Sequence, residues 1–339
     1  DCRPDVWSAS CHRDVPKSLV SAAAIVPAAL TNPARSVPEV QITAIAARDP
    51  GRAEKFARRH HIPRVHKTYD GLLADPEIDA IYNPLPNGLH AEWTIKSLHA
   101  GKHVLCEKPF ASNAKEAEEM ANTARETSKV LSEAFAYRYH PLTTRMKEVM
   151  TSGELGKLNS VEARFCFMLP ALSNIRFNYD LAGGALMDAG CYPVSLVRFL
   201  MGTEPEVLRA KAKLIKPEVD SRMEADLKFP DGVEAHVVCD MLSLRLFDSV
   251  VKVKGDTGEM TVLSPFQPHW FHRMTLRTSK GTLRGTIKGE NTYILQLRAF
   301  AQAICSKAPF NTNPDDALNN MRVIDAIYGQ AGLKLRGTR

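Results

Sequence analysis

Two short segments of this 339-residue sequence hold titratable groups whose spacing suits ligand binding and proton exchange. In the first, Gly101-Lys102-His103-Val104-Leu105-Cys106-Glu107-Lys108-Pro109, a buried strand ends in a charged pair and is closed by proline. Open α/β sheets bind ligands beyond the carboxyl ends of their strands, which puts Glu107 and Lys108 at the mouth of such a site. In the second, Gly183-Gly184-Ala185-Leu186-Met187-Asp188-Ala189-Gly190-Cys191-Tyr192, glycines permit close backbone approach and Asp188 and Tyr192 stand four apart. On a helix that spacing sets both side chains on one face. Each group also has a plainer reading. Lys108 fits a solvated lysine at a strand end, Tyr192 a core tyrosine whose hydroxyl is satisfied by Asp188, and Asp188 a capping carboxylate.

The elements that must position these groups fall into two textures. From about Val40 to Ala134, strand-like runs at 40–46, 78–83, 103–106 and 130–134 alternate with amphipathic stretches at 50–60, 89–100 and 113–128. This is the pattern of a parallel sheet wound with helices. Gly101 is placed as a helix stop, and Asn113 with Glu116 has the spacing of a capping box. After Gly153 the runs alternate more strictly, at 160–168, 206–215, 233–241 and 249–253, which predicts one large, mostly antiparallel sheet. Pro230-Asp231-Gly232 reads as a hairpin turn within it. A last helix over 314–333, with Leu318, Met321, Ile324 and Ile327 on one face, is expected to pack back on the body. A chain of this length suits two cores, since domains usually run ~100–200 residues.

Together the two segments resemble the Gfo/Idh/MocA oxidoreductase family, and the resemblance extends over nearly the whole chain. Supporting pieces in the same order are Asn83-Pro84-Leu85-Pro86-Asn87-Gly88-Leu89-His90, Glu133-Ala134-Phe135-Ala136-Tyr137-Arg138-Tyr139-His140-Pro141, Ser152-Gly153-Glu154-Leu155-Gly156 and Asn320-Met321-Arg322-Val323-Ile324-Asp325-Ala326. Tyr rather than His at position 192 makes the chain similar to the branch of dimeric dihydrodiol dehydrogenases and NADP-dependent D-xylose dehydrogenases. The resemblance implies an α/β fold: a Rossmann-like, doubly wound parallel sheet over residues 1–138, then over 139–339 an α+β substrate domain on a large open-faced, mostly antiparallel sheet. It implies a homodimer through that open face, and a cleft between the domains where Tyr192 exchanges a proton with the substrate oxygen. There Lys108 assists Tyr192 and holds the nicotinamide ribose. A phenol titrates near ~10, and an adjacent ammonium is expected to lower that value. The cofactor contacts it implies are Ser21, Ala23, Ile25, Pro84, Asn87, His90, Glu107, Lys108 and Pro109, with Tyr139, Arg176 and Phe177 toward a sugar, diol or small carbonyl substrate.

Cofactor choice is read in Ala46-Ala47-Arg48-Asp49-Pro50-Gly51-Arg52. An Arg there clamps a 2′-phosphate, whereas an acidic residue bonds a free 2′-hydroxyl. Arg48 beside Asp49 is a mixed signal, and Arg52 tips the expectation to NADP over NAD. The sequence departs from the family at its start: Ser21, Ala23 and Val26 stand at Gly-rich phosphate-loop positions, and Lys17-Ser18-Leu19-Val20 is a short, polar substitute for a first strand. Modest cofactor affinity is the expectation that follows. Ala136 replaces a frequent His and bears on the substrate pocket.

Composition narrows the alternatives. A net charge of +6 is too mild for a nucleic-acid partner. Seven scattered cysteines without a metal-ligand pair read as reduced, which favours the cytoplasm. The longest apolar stretch, 18–30, is broken by Pro27 and is shorter than the ~20 residues that cross a bilayer, although it imitates a signal-peptide core. His90, His140 and His60-His61 lack metal-ligand spacing, so no metal is expected. There is no Gly-x-Ser-x-Gly elbow, no His-Glu-x-x-His helix and no tyrosine followed four residues later by lysine. The alternatives to a dehydrogenase are a glycosidase that retains its nicotinamide cofactor, a degenerate nucleotide-binding protein, and a specialised biosynthetic reductase.

Overall fold

The computed structural model of the chain describes residues 23–171 and 173–337, so Ser21 and the expected first strand at 17–20 lie outside the described residues. A π-helical turn (Pro27–Thr31) and the short α1 (Asn32–Ala34) lead into βα units. β1 (Ala44–Ala46) pairs in parallel with β2 (Arg64–His66), and α2 (Pro50–His60) connects them. α2 begins where the sequence predicts because Pro50 takes its first position and Asp49 Oδ1 accepts the N–H groups of Gly51 at 2.9 Å and Arg52 at 3.3 Å. β1 is shorter than the expected run, since the Val40 N–H is spent in a turn on the Val37 carbonyl.

After α3 (Tyr69–Leu73) comes a second parallel sheet of β3 (Ala80–Asn83), β4 (His103–Cys106) and β5 (Leu131–Glu133), ordered β3-β4-β5. Its crossovers are α4 (His90–His99) and α5 (Ala114–Glu126). Gly101 ends the first of these in the left-handed region at φ 78°, and Asn113 Oδ1 caps the second on the Glu116 N–H at 2.9 Å.

A 3₁₀ turn (Ala136–Tyr139) and α6 (Pro141–Thr151) carry the chain into the larger sheet. Its strands are β6 (Leu158–Met168), β7 (Glu206–Lys216), β8 (Val219–Lys228), β9 (Glu234–Asp240), β10 (Leu242–Gly255), β11 (Gly258–Leu263), β12 (Arg273–Thr278) and β13 (Gly281–Gly285). They lie in the order β13-β12-β11-β10-β6-β9-β8-β7, antiparallel throughout except for β6 beside β9. Between β6 and β7 the chain makes a π-helical turn (Leu186–Gly190) that runs straight into α7 (Cys191–Met201). The inward residues Val161, Ala163 and Phe165 of β6 and Ala235, Val237 and Cys239 of β9 share one core with Val194 and Val197 of α7.

Two closing helices tie the halves together. α8 (Thr292–Ser306) sends Leu297 and Phe300 into the cluster formed by Ile45, Tyr82 and Leu105. α9 (Pro314–Gln330) lies against α5 and α7, and its Asp325 accepts the Ala114 N–H at 2.8 Å. No helix among the described residues is long and apolar enough to cross a membrane.

Candidate active site

The carboxyl ends of β3 and β4 open side by side. Asn83, the last residue of β3, is buried and organises the following turn: Nδ2 donates to the His90 carbonyl at 3.2 Å and to Thr94 Oγ1 at 3.1 Å, while Oδ1 accepts the Leu85 N–H at 3.3 Å. Asn87 then reaches across to the second half, donating to the Ala182 carbonyl at 3.1 Å. The Lys108–Pro109 peptide is cis. His90 Nδ1 lies 2.8 Å from the Pro109 carbonyl and Nε2 2.8 Å from that of Leu85. Burial lowers the His90 pKa to about 4.

Glu107 and Lys108 therefore project from a braced turn. The Tyr82 hydroxyl donates to Glu107 Oε1 at 2.6 Å, and burial holds this carboxyl above its ordinary range. Lys108 Nζ donates to the Asp188 carbonyl at 3.1 Å and meets Asp188 Oδ1 at 3.4 Å. Arg176 Nε approaches the other carboxylate oxygen at 2.8 Å. Burial alone would neutralise these groups, but their mutual attraction outweighs it, keeping the Lys108 pKa above and the Asp188 pKa below their ordinary values.

Tyr192 lies against this pair, with Lys108 Nζ 5.0 Å from the centre of its ring. Phe135, Tyr137, Phe165 and Phe266 surround the ring at centroid distances of 5.3, 6.0, 5.2 and 5.5 Å. Its hydroxyl makes no hydrogen bond with another described residue, so the reading in which Asp188 satisfies it does not hold. The expected acidification of the phenol is also corrected. Burial in the aromatic cage, then the neighbouring Tyr293, Cys191, Glu107 and Asp188, push its pKa well above ordinary, and the ammonium stands over the ring face rather than at the hydroxyl.

Residues 22–135 match "Oxidoreductase family, NAD-binding Rossmann fold" and residues 143–261 match "GFO/IDH/MocA C-terminal domain". The chain is 36% identical over 306 residues to a D-xylose 1-dehydrogenase (NADP(+)) of Haloferax volcanii, covering 88% of this chain and 92% of that one. The chain belongs to the Gfo/Idh/MocA oxidoreductase family. A trans-1,2-dihydrobenzene-1,2-diol dehydrogenase of Sus scrofa is 34% identical over 230 residues, 67% of each chain. The crystal structure of a 3-ketoreductase from Actinomadura kijaniata in complex with NADP and TDP-benzene superposes with a TM-score of 0.87 at 27% identity, covering 94% of this chain and 98% of that one. This protein is thus an oxidoreductase with a nicotinamide-dinucleotide-binding fold.

Within this family member the expected site residues separate into groups. Lys108, Asp188, Tyr192 and Arg176 come together, with Glu107 alongside. Arg48 and Arg52 are exposed at the carboxyl end of β1, where Asp49 is engaged as the cap of α2. Ala23 and Ile25 lie at the start of the described residues, Ile25 36% exposed. His90 and Phe177, both 0% exposed, present no surface to a ligand; His90 ties the Leu85 carbonyl to that of Pro109 and Phe177 fills the core. Tyr139 turns to Thr312, bonding its Oγ1 at 2.8 Å. Sequence reasoning missed Tyr82, Tyr137 and Tyr293. Tyr293 sits in the first turn of α8, behind the Asn291 cap, with its pKa pushed up to about 12 by burial and by Glu107. No local pattern distinguishes it, because only the docking of α8 brings it toward Glu107.

Proposed function

We propose that this protein is an NADP-dependent oxidoreductase that transfers a hydride at a CH–OH or carbonyl carbon of a sugar, sugar-like ketone or cyclic diol, with Tyr192 as the proton donor. The observation that carries this reading is the convergence of Lys108, Asp188 and Tyr192 beyond the carboxyl end of β4. Support for the substrate class comes from relatives that act on D-xylose and on a dihydrodiol, and from one named a 3-ketoreductase.

The donor set suits the cofactor. Arg48 and Arg52 would hold the 2′-phosphate, because the acidic neighbour that favours NAD is used as a helix cap. Pro84, Asn87 and Glu107 would line the nicotinamide side, and the Lys108 ammonium would bond the nicotinamide ribose. Bound nicotinamide supplies or accepts the hydride. The chain's own part is the proton. With its pKa raised, Tyr192 stays a neutral phenol throughout the physiological range and gives its proton from Oη to the oxygen that gains charge in the reduction. Lys108 is held charged by Asp188 beside the Tyr192 ring. Asp188 fixes the ammonium, and Arg176 fixes Asp188.

Two copies would pair through the larger sheet, where Leu244, Leu246 and Phe247 of β10 and Leu283 of β13 are exposed. Light scattering checks this: a mass near twice 37.5 kDa is expected.

The functional test is a titration with NADPH and NADH followed by nicotinamide fluorescence, then assays with D-xylose, a trans-cyclohexanediol and a 3-keto sugar nucleotide. NADPH binding with net cofactor turnover on one of them is expected. Absence of NADPH binding, or hydrolysis of a glycoside without net cofactor turnover, would overturn the proposal.

A further inference from the structure

Arg336, three residues from the end of the sequence, is fully buried, as is its partner Asp220 on β8. Its guanidinium lies 4.1 Å from the Tyr328 ring centre and 5.2 Å from that of Tyr179. Nη2 donates to Asp220 Oδ1 at 2.8 Å, and Nε donates to the Gly183 carbonyl at 2.7 Å. A buried ion pair adds little stability over apolar packing of the same volume, so its worth is sought in what it orients.

What it orients is the turn that bears Asp188. Asp220 Oδ2 accepts the Leu186 N–H at 2.7 Å, at the first residue of the π-helical turn, and Tyr328 donates to Oδ1 at 3.1 Å. The Asp188 N–H is bonded to the Gly184 carbonyl at 3.0 Å, and the Gly184 N–H to the Arg176 carbonyl at 2.9 Å. Gly184 stands at φ 139°, where a side chain would strike both the Asp220 carboxylate and the Arg336 guanidinium. The other end of the same residue holds the opposite wall of the site. The Arg336 carbonyl accepts from Asn113 Nδ2 at 2.8 Å, and Asn113 caps α5 in the loop that follows Lys108 and Pro109.

We propose that Arg336, acting with Asp220, is a positioning residue that sets the Asp188 turn against the Lys108 loop and so fixes the Lys108–Asp188 pair. Its role in turnover rests on the function proposed above, whereas its role in geometry does not. The segment around Arg336 is then a strap across the two halves of the cleft, and loosening it separates the ammonium from the carboxylate.

The test reads Lys108 directly. Reductive ¹³C-methylation of the full chain, with Lys108→Met to assign the signal, gives the Lys108 pKa by NMR. Arg336→Met is expected to lower it by about one pH unit, in the direction of Asp188→Asn. The Arg336→Met/Asp188→Asn double variant should go no lower than Asp188→Asn alone, and Arg336→Lys should restore part of the shift. Should Arg336→Met fail to fold, Tyr328→Phe, which removes one bond to Asp220 and keeps the ring, should give a smaller shift of the same sign. An unchanged Lys108 pKa in every folded variant that weakens the strap, while Asp188→Asn moves it, would overturn the inference. If instead the pKa follows Arg336 but Lys108→Met keeps full NADP-linked turnover, the strap stands and the functional reading fails.

Discussion

The two ends of the proposed cofactor site are built in opposite ways. At the reactive end Lys108, Asp188 and Tyr192 are half-buried or buried, touch one another, and have pKa values moved by their surroundings. At the adenosine end Arg48 and Arg52 are exposed, beside an Asp49 whose carboxylate is spent on capping α2. The difference fits the tasks proposed for the two ends. Proton transfer needs charges whose energies are set before the substrate arrives, and low-dielectric surroundings set them. Recognition of a phosphate needs only guanidinium groups within reach, and solvent keeps their cost low. Substitutions at the first end should therefore change turnover and its pH dependence, and those at the second should change cofactor choice.

The largest effect expected after loss of the phenol is that of Lys108→Met, which should reduce turnover ~10²-fold or more and weaken NADPH binding as well. Steady-state kinetics with fluorescence titration checks both, and loss of binding without loss of turnover would remove Lys108 from the chemistry. Asp188→Asn sharpens the same end. Because Asp188 raises the Lys108 pKa, its removal lets the ammonium lose its proton earlier as pH rises. The alkaline limb of the turnover profile should move to lower pH, with roughly a tenfold loss at the optimum. An unmoved limb would show that Lys108 does not govern it.

At the exposed end Arg48→Ala should weaken NADPH about tenfold and leave NADH nearly unchanged, the loss of one charge-assisted bond. Equal losses would refute the phosphate clamp. Asp49→Ala should do least: about 1 kcal/mol of stability lost with the α2 cap, read from denaturant melts, and no gain or loss in the NADP-to-NAD preference. A marked change in preference would mean that Asp49 contacts the ribose after all.

The same contrast explains what was legible beforehand. Lys108 was legible because Gly101 and Pro109 bracket a short apolar strand, and strand ends are where open sheets bind ligands. α2 was legible from the amphipathic stretch at 50–60, but its Asp49 cap was read only as a cofactor signal. β2, only Arg64-Val65-His66, has no apolar alternation and exists through its pairing with β1. β13 is exposed along its length and is a strand only by its ladder to β12. Tyr192 was found as a residue but the direction of its pKa shift was misread, because that shift depends on burial among Phe135, Tyr137, Phe165 and Phe266, which separate segments bring together. Likewise nothing near Arg336 in the sequence points to Asp220 or to the Gly183 turn.

The central claim is that Tyr192 gives the proton, and Tyr192→Phe tests it most directly, since the ring and its packing in the aromatic cage stay while the only ionisable atom is removed. The measurement is the rate of NADPH-linked reduction by the variant, beside its NADPH affinity and melting curve. The account predicts unchanged folding and binding with turnover lower by ~10²-fold or more. Turnover near that of the unaltered protein would make Tyr192 a packing residue and send the proton through another group or through water.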